Sequence, residues 1–272
     1  MPLRDKTVAI IGAGNMGEAL VRGLLTTGAV DHRQLIAADV RPHRLELFAT
    51  QFGIPVVADN TIAASGADIL LLAVKPQQMS EVLAGLRGSV SPRHLVVSIA
   101  AGITTTRIER ELGDTTRVVR VMPNTPAQIG EGAAALCRGR HATEEDLSAA
   151  EAILGAVGTT VRTDEAFLDA VTAVSGTGPA YVFLIAEAMI RAGVDLGLSE
   201  ELSRALTLQT ILGAARLMME SGEDPATLRR KVTSPNGTTE AAMKVMAEGR
   251  LVEVFIEAVK AAARRSRELS SS

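Results

Sequence analysis

The sequence predicts two structural parts, an N-terminal domain of the α/β class and an all-α C-terminal domain that forms dimers. Residues 1 to about 160 alternate short β-rich runs with helical runs, a pattern typical of a doubly wound parallel sheet. A glycine-rich turn follows the first of these runs. Beyond Ala166 the strand pattern stops, and long stretches rich in Ala, Leu and Met follow. We therefore expect one domain over residues 1–163 and a second over residues 164–272.

The predicted strands of the first domain are short apolar runs, each followed by a helical run or a turn. In chain order they are TVAIIG, LIAAD, IPVV, DILLLAV, HLVVSIA, RVVRVM, GAAALCR and TTVRT. The helices between them are expected near residues 16–26, 42–52, 60–65, 77–85, 104–112 and 143–156. Short apolar runs of this kind indicate parallel strands that are buried on both faces.

The second domain is predicted to contain five helices. They are expected over residues 178–192, 199–220, 225–232, 238–248 and 252–268. Several of these stretches are apolar on more than one face, so each needs a partner on two sides. We expect this domain to form a homodimer, with a compact monomeric bundle as the alternative.

The composition of the chain argues against several functional classes. A net charge of −3 without a polybasic run argues against nucleic acid as a partner. Cys137 is the only cysteine, so no intrachain disulfide can form, and its apolar neighbours indicate a buried strand residue rather than a nucleophile. The N-terminus has no apolar leader, and no apolar run approaches the length of a membrane span. We expect a soluble, cytoplasmic protein with no membrane partner.

The turn VAIIGAGNMGEAL has the spacing of a dinucleotide-binding turn. Gly12 permits a tight turn after the strand, Gly14 lets the backbone approach a pyrophosphate, and Gly17 lets the helix pack close to the strand. The pyrophosphate then lies on the N-terminal amides of the helix. Asp39 ends the second strand, where an acid can bind the ribose diol. The alternative is a merely tight β–α turn.

The choice between the two nicotinamide cofactors is open from the sequence. Asp39 favours the free 2′-hydroxyl of NADH and repels a 2′-phosphate. Arg41 and Arg44 lie just beyond it and could bind that phosphate instead. The prediction is therefore NAD(P)H.

Three later segments follow the next strands and are expected at the same edge of the sheet. AVKP spans residues 73–76, SIAAGIT residues 98–104 and RVMPNTPAQIGEG residues 120–132. They bring small residues, hydroxyl groups and Asn124 towards the nicotinamide, and Pro123 and Pro126 stiffen the loop around Asn124. An ordinary turn between strands is the alternative for the last segment.

The helical domain offers two clusters of Gly, Ser and Thr in place of an acid or base. They are AVSGTGPAY at residues 173–181 and TSPNGTTEAAM at residues 233–243. The four histidines are expected to be solvated loop residues. A site of this kind suits a cyclic imine that already carries its activating proton, because the protein then only has to orient the ring and bind its carboxylate.

The motifs IGAGNMGEAL, AVKP, SIAAGI, RVMPNTPAQIGEG, AVSGTGPAYVF and VTSPNGTTEAA occur in this order, and the chain resembles pyrroline-5-carboxylate reductase over essentially its whole length. The resemblance implies a Rossmann-type N-terminal domain and a helical domain that interlocks two subunits, with dimers often assembling into decamers. It implies the last step of proline biosynthesis, an oxidoreductase reaction that reduces L-1-pyrroline-5-carboxylate to L-proline with NADPH or NADH.

The resemblance also implies roles for particular residues and no metal. The residues expected to bind the dinucleotide are Gly12, Ala13, Gly14, Asn15, Met16, Gly17, Asp39, Val40, Arg41, Asn60, Ala73, Val74, Lys75 and Pro76, with Ala100, Ala101, Gly102, Met122, Pro123, Asn124 and Thr125 towards the nicotinamide. Those expected to bind the substrate are Glu165, Ser175, Gly176, Ser234, Asn236, Gly237, Thr238 and Thr239. The hydroxyl of Thr239 is expected near the imine nitrogen, which makes it the catalytic candidate.

Two residues depart from the family pattern. Asn236 stands where the family usually has a glycine, and we expect the turn to survive because Asn tolerates left-handed backbone angles. Asp39 stands where the family often has Ser, Thr or Asn, which leaves the cofactor preference open. We expect the turn at 233–239 to cap the following helix through Ser, Asn or Thr and also to attract an anion.

Two alternatives to a reductase belong to other functional classes. A β-hydroxyacid dehydrogenase shares the domain order, but it carries a catalytic Lys on a helix of the second domain, and the matching stretch GTGPAYVFLIAEAM contains none. A non-catalytic, dinucleotide-sensing protein would leave the two Gly/Ser/Thr clusters without a purpose.

Overall fold

The computed structural model describes residues 2–270, and its first part is built on one sheet of eight strands. Each of the first seven strands lies within the apolar run that predicts it, and the eighth begins one residue before its run, at Gly158. The strands are β1 (Val8–Ile11), β2 (Leu35–Ala38), β3 (Val56–Val57), β4 (Ile69–Leu72), β5 (Leu95–Ser98), β6 (Arg117–Met122), β7 (Gly132–Arg138) and β8 (Gly158–Arg162). The predicted α/β class of this part is confirmed.

The order of the strands creates a crevice at one edge of the sheet. The order is β3-β2-β1-β4-β5-β6-β7-β8, so the chain moves outward from β1 first in one direction and then in the other. β1 pairs in parallel with both neighbours, and Ile11 lies opposite Ala38 on one side and Leu72 on the other. The loops after β1, β2 and β4 therefore leave the same edge and diverge, which is where open α/β sheets bind ligands.

One strand pairing differs from the predicted parallel arrangement. β6 and β7 are antiparallel, with Met122 opposite Ala135, and β8 then runs parallel to β7. The segment between β6 and β7, residues 123–131, contains only a short 3₁₀ turn. A parallel connection needs a crossover of about a dozen residues or more. The short link therefore forces β7 to return in the opposite direction.

Helices cover both faces of the sheet. They are α1 (Asn15–Thr26), α2 (Pro42–Phe52), α3 (Asn60–Ser65), α4 (Met79–Leu86), α5 (Thr105–Leu112) and α6 (Glu144–Gly155). Side chains of α1, α2 and α6 pack with Val8 and Ile10 in one apolar cluster, and those of α3, α4 and α5 pack with Ala9 and Ile11 in another. Alternate residues of β1 thus face opposite layers, which explains why this strand is apolar at every position.

The rest of the chain is helical, and within residues 163–270 the structure contains no strand. The helices are α7 (Leu168–Val171), α8 (Gly178–Asp195), α9 (Glu200–Ser221), α10 (Pro225–Lys231), α11 (Thr238–Glu248) and α12 (Leu251–Ser270). Five of them correspond to the predicted helices. Between α7 and α8 the chain passes through a π-helical turn at Thr172–Gly176, which the sequence pattern does not predict.

The chain divides into two compact units. Of the described residues, one unit contains 2–177 together with 262–270, and the other is Gly178–Ala261. The C-terminal segment joins the first unit partly through a hydrogen bond of 2.6 Å from Ser266 Oγ to Asp169 Oδ1. The expected domain boundary at 163/164 follows the end of the sheet instead, and it stays a prediction.

The helices of the second unit bury few of their own side chains. Within residues 178–261, all of which the structure describes, the only buried residues are Ala186, Ser203 and Thr207. Large apolar side chains such as Leu196, at 85% exposure, remain uncovered. A single chain cannot cover these helices, as expected for a unit that associates with another copy.

The prediction that no apolar run approaches the length of a membrane span is wrong for one helical stretch. The continuous run from Glu165 to Asp195 is long and apolar enough to cross a membrane by length and composition, with a mean hydropathy of 1.4 over its most apolar window. The same length and composition suit a helix that packs against another subunit. The exposed apolar side chains of α8 belong to this run.

Candidate active site

A large cleft opens at the carboxyl ends of β1, β2 and β4. Its volume is about 1430 Å³, larger than the roughly 300–1,000 Å³ typical of small-molecule pockets. It therefore has room for an extended ligand such as a dinucleotide. The residues that line it are Gly12, Gly14, Asn15, Met16, Ala38, Asp39, Val40, Arg41, Ala58, Asp59, Asn60, Thr61, Ala73, Val74, Lys75, Pro76, Gln78, Glu81, Val82, Gly85, Ile99, Ala100, Ala101, Met122, Pro123, Asn124, Thr125 and Gly176.

The glycine-rich turn forms the centre of the cleft. Gly12 has φ = +105°, and a Cβ there would lie 2.8 Å from Val74 Cγ1, so only glycine fits. A Cβ on Gly17 would lie 2.5 Å from the carbonyl oxygen of Gly12. Gly14 differs from both, because a Cβ on it would meet nothing within 4 Å. Its backbone is therefore open to a ligand.

The N-terminus of α1 faces this opening without a cap from any side chain in the described part of the chain. Gly14 is the N-cap residue, and its carbonyl accepts the first helical hydrogen bond, from the N–H of Glu18. The uncapped amides and the helix dipole favour a negative group at this point. Together with the open backbone of Gly14, this end fits the pyrophosphate of a dinucleotide.

Asp39 lies at the end of β2 and is only 7% exposed. Its carboxylate accepts hydrogen bonds from the N–H of Ala13, at 2.8 Å, and from the N–H of Arg41, at 2.9 Å. Burial alone would raise the pKa of this carboxyl group. The hydrogen bonds from Arg41 and Ala13 outweigh burial, and the pKa of Asp39 lies below its ordinary value. Asp39 is therefore ionised at neutral pH.

Asn124 holds the loop at the nicotinamide end of the cleft. Its Oδ1 accepts a hydrogen bond of 2.9 Å from the N–H of Ala133, and its Nδ2 donates one of 3.3 Å to the carbonyl oxygen of Ser175. The amide thereby ties the start of β7 to the π-helical turn. Nearby, Gly176 approaches the methyl end of the Met122 side chain so closely that a Cβ at position 176 would require this side chain to shift.

Most of the residues expected to bind the cofactor line the cleft, with three exceptions. Ala13 is fully buried and contributes its N–H to Asp39, and Gly17 is buried against the turn. Gly102 faces the backbone of the C-terminal segment at Leu269 and Ser270. The spacing of small residues in such turns does not distinguish those that pack against the protein from those that face a ligand.

Several lining residues were not predicted. Asp59 is the N-cap residue of α3, and its carboxylate accepts a hydrogen bond of 2.8 Å from the N–H of Thr61 in the first turn. Glu81, Val82 and Gly85 lie on one face of α4. Gly85 follows Glu81 by four residues and Val82 by three, which is the spacing of neighbours on one face of a helix. This helical spacing, shortly after the AVKP segment, is the signal that could have identified them.

Glu165 does not line the cleft. Its carboxylate accepts hydrogen bonds from the N–H of Thr105, at 2.8 Å, and from Thr105 Oγ1, at 2.6 Å. It also forms an ion pair of 3.0 Å with Arg120, whose side chain is buried. Glu165 is the counter-ion of a buried arginine, because an unpaired buried charge would be costly. Ser175 likewise does not line the cleft, although the next residue, Gly176, does.

The turn at residues 233–239 belongs to the second unit and differs in one respect from the expectation. α11 begins after Gly237, and no side chain in the described part of the chain caps it, so the expected cap by Ser, Asn or Thr is wrong. Asn236 has φ = +58°, which confirms that asparagine maintains the turn. The carboxylate of Glu240 accepts a hydrogen bond of 2.8 Å from the N–H of Asn236. The first amides of α11 remain uncapped by side chains.

Cys137 and the buried His94 do not line the cleft. Cys137 is buried, as predicted, and burial together with the nearby carboxylate of Glu165 raises the pKa of its thiol to about 12. The expectation of four solvated histidines is wrong for His94, which is 1% exposed and accepts a hydrogen bond of 2.9 Å from the N–H of Ser91. His94 precedes β5, at the opposite edge of the sheet. Among residues 2–270 no group of His, Cys, Asp and Glu side chains is placed to hold a metal ion.

Comparisons with known proteins match both parts of the chain. A family model described as pyrroline-5-carboxylate reductase dimerisation matches residues 165–269. A second, described as NADP oxidoreductase, coenzyme F420-dependent, matches residues 7–102.

Relatives and solved structures match the chain over nearly its full length. A pyrroline-5-carboxylate reductase of Pseudomonas aeruginosa is 46% identical over 97% of this chain and 96% of its own. One of Methanosarcina acetivorans is 42% identical over 98% of this chain and 99% of its own. The structure of a pyrroline-5-carboxylate reductase from Coxiella burnetii superposes with a TM-score of 0.92 at 40% identity, covering 98% of this chain and 99% of that one. That of the Plasmodium falciparum enzyme with NADP bound gives 0.88 at 29% identity, covering 98% of each chain.

Proposed function

The chain belongs to the pyrroline-5-carboxylate reductase family, and from this premise we propose how its residues reduce L-1-pyrroline-5-carboxylate to L-proline with NAD(P)H. The observation that supports this function most strongly is the match to reductases over nearly their full length, at 46% and 42% identity, together with a cleft large enough for the cofactor. The proposed reaction is the last step of proline biosynthesis. No finding favours a β-hydroxyacid dehydrogenase or a non-catalytic dinucleotide sensor.

The residues around the cleft hold the dinucleotide in an extended form. The open backbone at Gly14 and the amides of α1 receive the pyrophosphate. Asp39 and its neighbours Val40 and Arg41 receive the adenosine, and the loop that Asn124 ties in place receives the nicotinamide. When bound, the reduced nicotinamide supplies a hydride.

The turn at residues 234–239 holds the substrate carboxylate through backbone amides. The first amides of α11 and the positive end of its dipole favour an anion there, and the left-handed backbone of Asn236 shapes the turn. The side chains of Ser234, Thr238 and Thr239 add hydroxyl groups. In this proposal the Thr239 hydroxyl accepts a hydrogen bond from the protonated ring nitrogen and keeps the ring in one orientation.

The reaction needs no proton transfer before the hydride moves. The ring nitrogen of the substrate carries its proton as the iminium ion. The hydride forms a new bond to the imine carbon, and the electron pair of the C=N bond moves onto the nitrogen, which gives neutral proline nitrogen. Orientation and fixed donors carry the catalysis, and a general acid is not required.

In this proposal Glu165 and Ser175 act indirectly, by holding other residues in place. Glu165 balances the buried charge of Arg120, and the backbone carbonyl of Ser175 receives the amide of Asn124. We therefore assign both as positioning residues. Gly176 contributes the close approach to Met122.

The helical unit joins subunits. Its match to a dimerisation family model and its exposed apolar side chains support a homodimer, and assembly of dimers into a decamer is the further form that we propose. The apolar run from Glu165 to Asp195 then packs against another subunit rather than a lipid bilayer. The single cysteine agrees with a cytoplasmic location.

The function is tested by following the absorbance of NADH and, separately, of NADPH with purified protein and pyrroline-5-carboxylate. We expect substrate-dependent oxidation of the cofactor and formation of proline. The six-membered imine homologue serves as a comparison substrate. Folded protein that binds the dinucleotide but oxidises it with neither imine would contradict the proposal.

A further inference from the structure

The cleft carries more negative than positive side chains. Three carboxylates line the described cleft, those of Asp39, Asp59 and Glu81, against two cations, Arg41 and Lys75. Lys75 follows β4, and Asp39 follows β2, with β1 between these two strands. Strands lie about 4.8 Å apart, so roughly 10 Å separates the two strand ends. Arg41 is therefore the cation that lies beside Asp39.

Asp39 cannot move away from its position at the end of β2. One of its oxygens is held by the N–H of Ala13 in the glycine-rich turn, and the other by the N–H of Arg41. Both donors are backbone groups of the loops that form the cleft. These two hydrogen bonds therefore fix the carboxylate of Asp39 in the cleft.

The side chain of Arg41 occupies the remaining positions on this carboxylate. Its Nε donates to Oδ1 at 2.9 Å and its terminal nitrogen donates to Oδ2 at 2.8 Å. The side chain of Arg41 is 50% exposed and can turn outward into solvent. A ribose with free 2′- and 3′-hydroxyls offers two donors, which can replace the two N–H groups of Arg41 one for one. An ionised 2′-phosphate offers acceptors only.

Arg44 is held inside the protein and cannot serve a 2′-phosphate either. Its Nε donates to the carbonyl oxygen of Ala13, and its terminal nitrogen forms an ion pair of 2.8 Å with Glu18. The guanidinium also lies over the ring of Phe48, 5.6 Å from its centre, and the side chain is 13% exposed. Moving it towards a phosphate would break all three contacts.

We propose that this protein prefers NADH to NADPH and that Asp39 is the residue that determines the preference. The proposal rests on the function given above. A 2′-phosphate would bring about two negative charges next to a fixed carboxylate. If Arg41 turned to the phosphate, the buried charge of Asp39 would keep only its two backbone donors, which is unfavourable. The preference departs from the description of the family model over residues 7–102, which is that of an NADP oxidoreductase.

The direct test is the dissociation constant of each reduced dinucleotide, measured with the unaltered protein by cofactor fluorescence or calorimetry without substrate. We expect NADH to bind at least about tenfold more tightly than NADPH, because like charges a few ångströms apart in a partly buried site repel strongly. Equal or tighter binding of NADPH would overturn the proposed preference for NADH but not the proposed function. Failure of both dinucleotides to bind would overturn the proposed function, and the preference with it.

A pair of variants assigns the preference to Asp39. Asp39→Ser removes the carboxylate and frees Arg41, so we expect NADPH to bind about tenfold more tightly and NADH more weakly than in the unaltered protein. Glu46→Gln is the matched control, because Glu46 is an exposed carboxylate on α2 outside the cleft. Its ratio of dissociation constants should change by less than about twofold, since exposed charges are screened. An unchanged ratio in Asp39→Ser, or an equal change in both variants, would overturn the assignment.

Discussion

At the scale of single residues, Thr239 is the side chain with the most direct chemical role. In Thr239→Ala we expect kcat to fall by about 10- to 1,000-fold, because the ring nitrogen loses its fixed partner. The dissociation constant of NADH should not change, since the hydroxyl is assigned to the substrate and not to the cofactor. Steady-state kinetics and a binding titration measure the two effects separately.

Thr239→Ser is the control for this variant, because it keeps the hydroxyl and removes only a methyl group. We expect it to retain most of the turnover that Thr239→Ala loses. Near-normal turnover in Thr239→Ala would remove Thr239 from the mechanism.

Asn124 is expected to act by positioning its loop. Asn124→Ala removes both hydrogen bonds of the amide and leaves the N–H of Ala133 without its partner, at a cost of about 1–3 kcal/mol. The melting temperature should fall by several degrees, and the KM for the cofactor should rise. Differential scanning calorimetry and kinetics give the two values.

Gln128→Ala is the matched control, because Gln128 is an exposed amide in the same 3₁₀ turn. It should leave both the melting temperature and the KM as they are. If Asn124→Ala behaved like this control, the hydrogen bonds by which Asn124 links β7 to the π-helical turn would contribute neither to stability nor to cofactor binding.

Residues were predictable where local geometry decides their role. The three glycines of the turn follow from their spacing after a strand, and Asn236 follows from its tolerance of a positive φ. The surroundings of Glu165 were not predictable, because its partner Thr105 is 60 positions away in the sequence. The burial of His94 was missed for the same reason, since its environment comes from packing of distant elements.

At the scale of elements, the reactivity of Cys137 tests whether β7 is buried in the sheet. Burial raises the pKa of the Cys137 thiol to about 12, so the reactive thiolate is scarce at pH 8. We expect a thiol reagent at pH 8 to leave the folded protein unlabelled. Protein unfolded in guanidinium should take up one label per chain, which is the control. Rapid labelling of the folded protein would show that β7 is accessible.

The apolar face of α9 is the element on which dimerisation is expected to depend. Leu206 and Leu217 are 54% and 53% exposed in the single chain, and their separation of three helical turns places them on one face. Replacing both by lysine would place two charges in a desolvated interface. We expect the light-scattering mass to fall from at least two chains to the 28.5 kDa of one, or the protein to precipitate.

Replacement of the same two leucines by methionine is the control for this variant, because it keeps the apolar volume. The mass should then stay that of the unaltered protein. A double-lysine variant with unchanged mass would mean that subunits meet elsewhere.

Elements were predictable because the apolar runs of this chain match the periods of strands and helices. The direction of β7 could have been inferred from the short link after Met122, which leaves no room for a crossover. The π-helical turn at Thr172–Gly176 could not, because its residues fit an ordinary helix. π-turns often lie at functional sites, and this one carries the carbonyl that Asn124 binds.

At the scale of the whole molecule, the chain separates two tasks. The sheet unit provides the cleft for the dinucleotide, and the helical unit provides apolar surface for other subunits. The change from a sheet to helices was predictable from the change in sequence pattern near Ala166. The number of subunits was not, because it depends on how surfaces of several copies fit together.

The central claim is that a hydride passes from the nicotinamide to the imine carbon of pyrroline-5-carboxylate. The most direct measurement uses NADH that carries deuterium at the transferable position of the nicotinamide, followed by NMR of the product. We predict proline with one deuterium, bound to the carbon that was the imine carbon. Proline without deuterium, or no conversion by folded protein that binds NADH, would contradict the account.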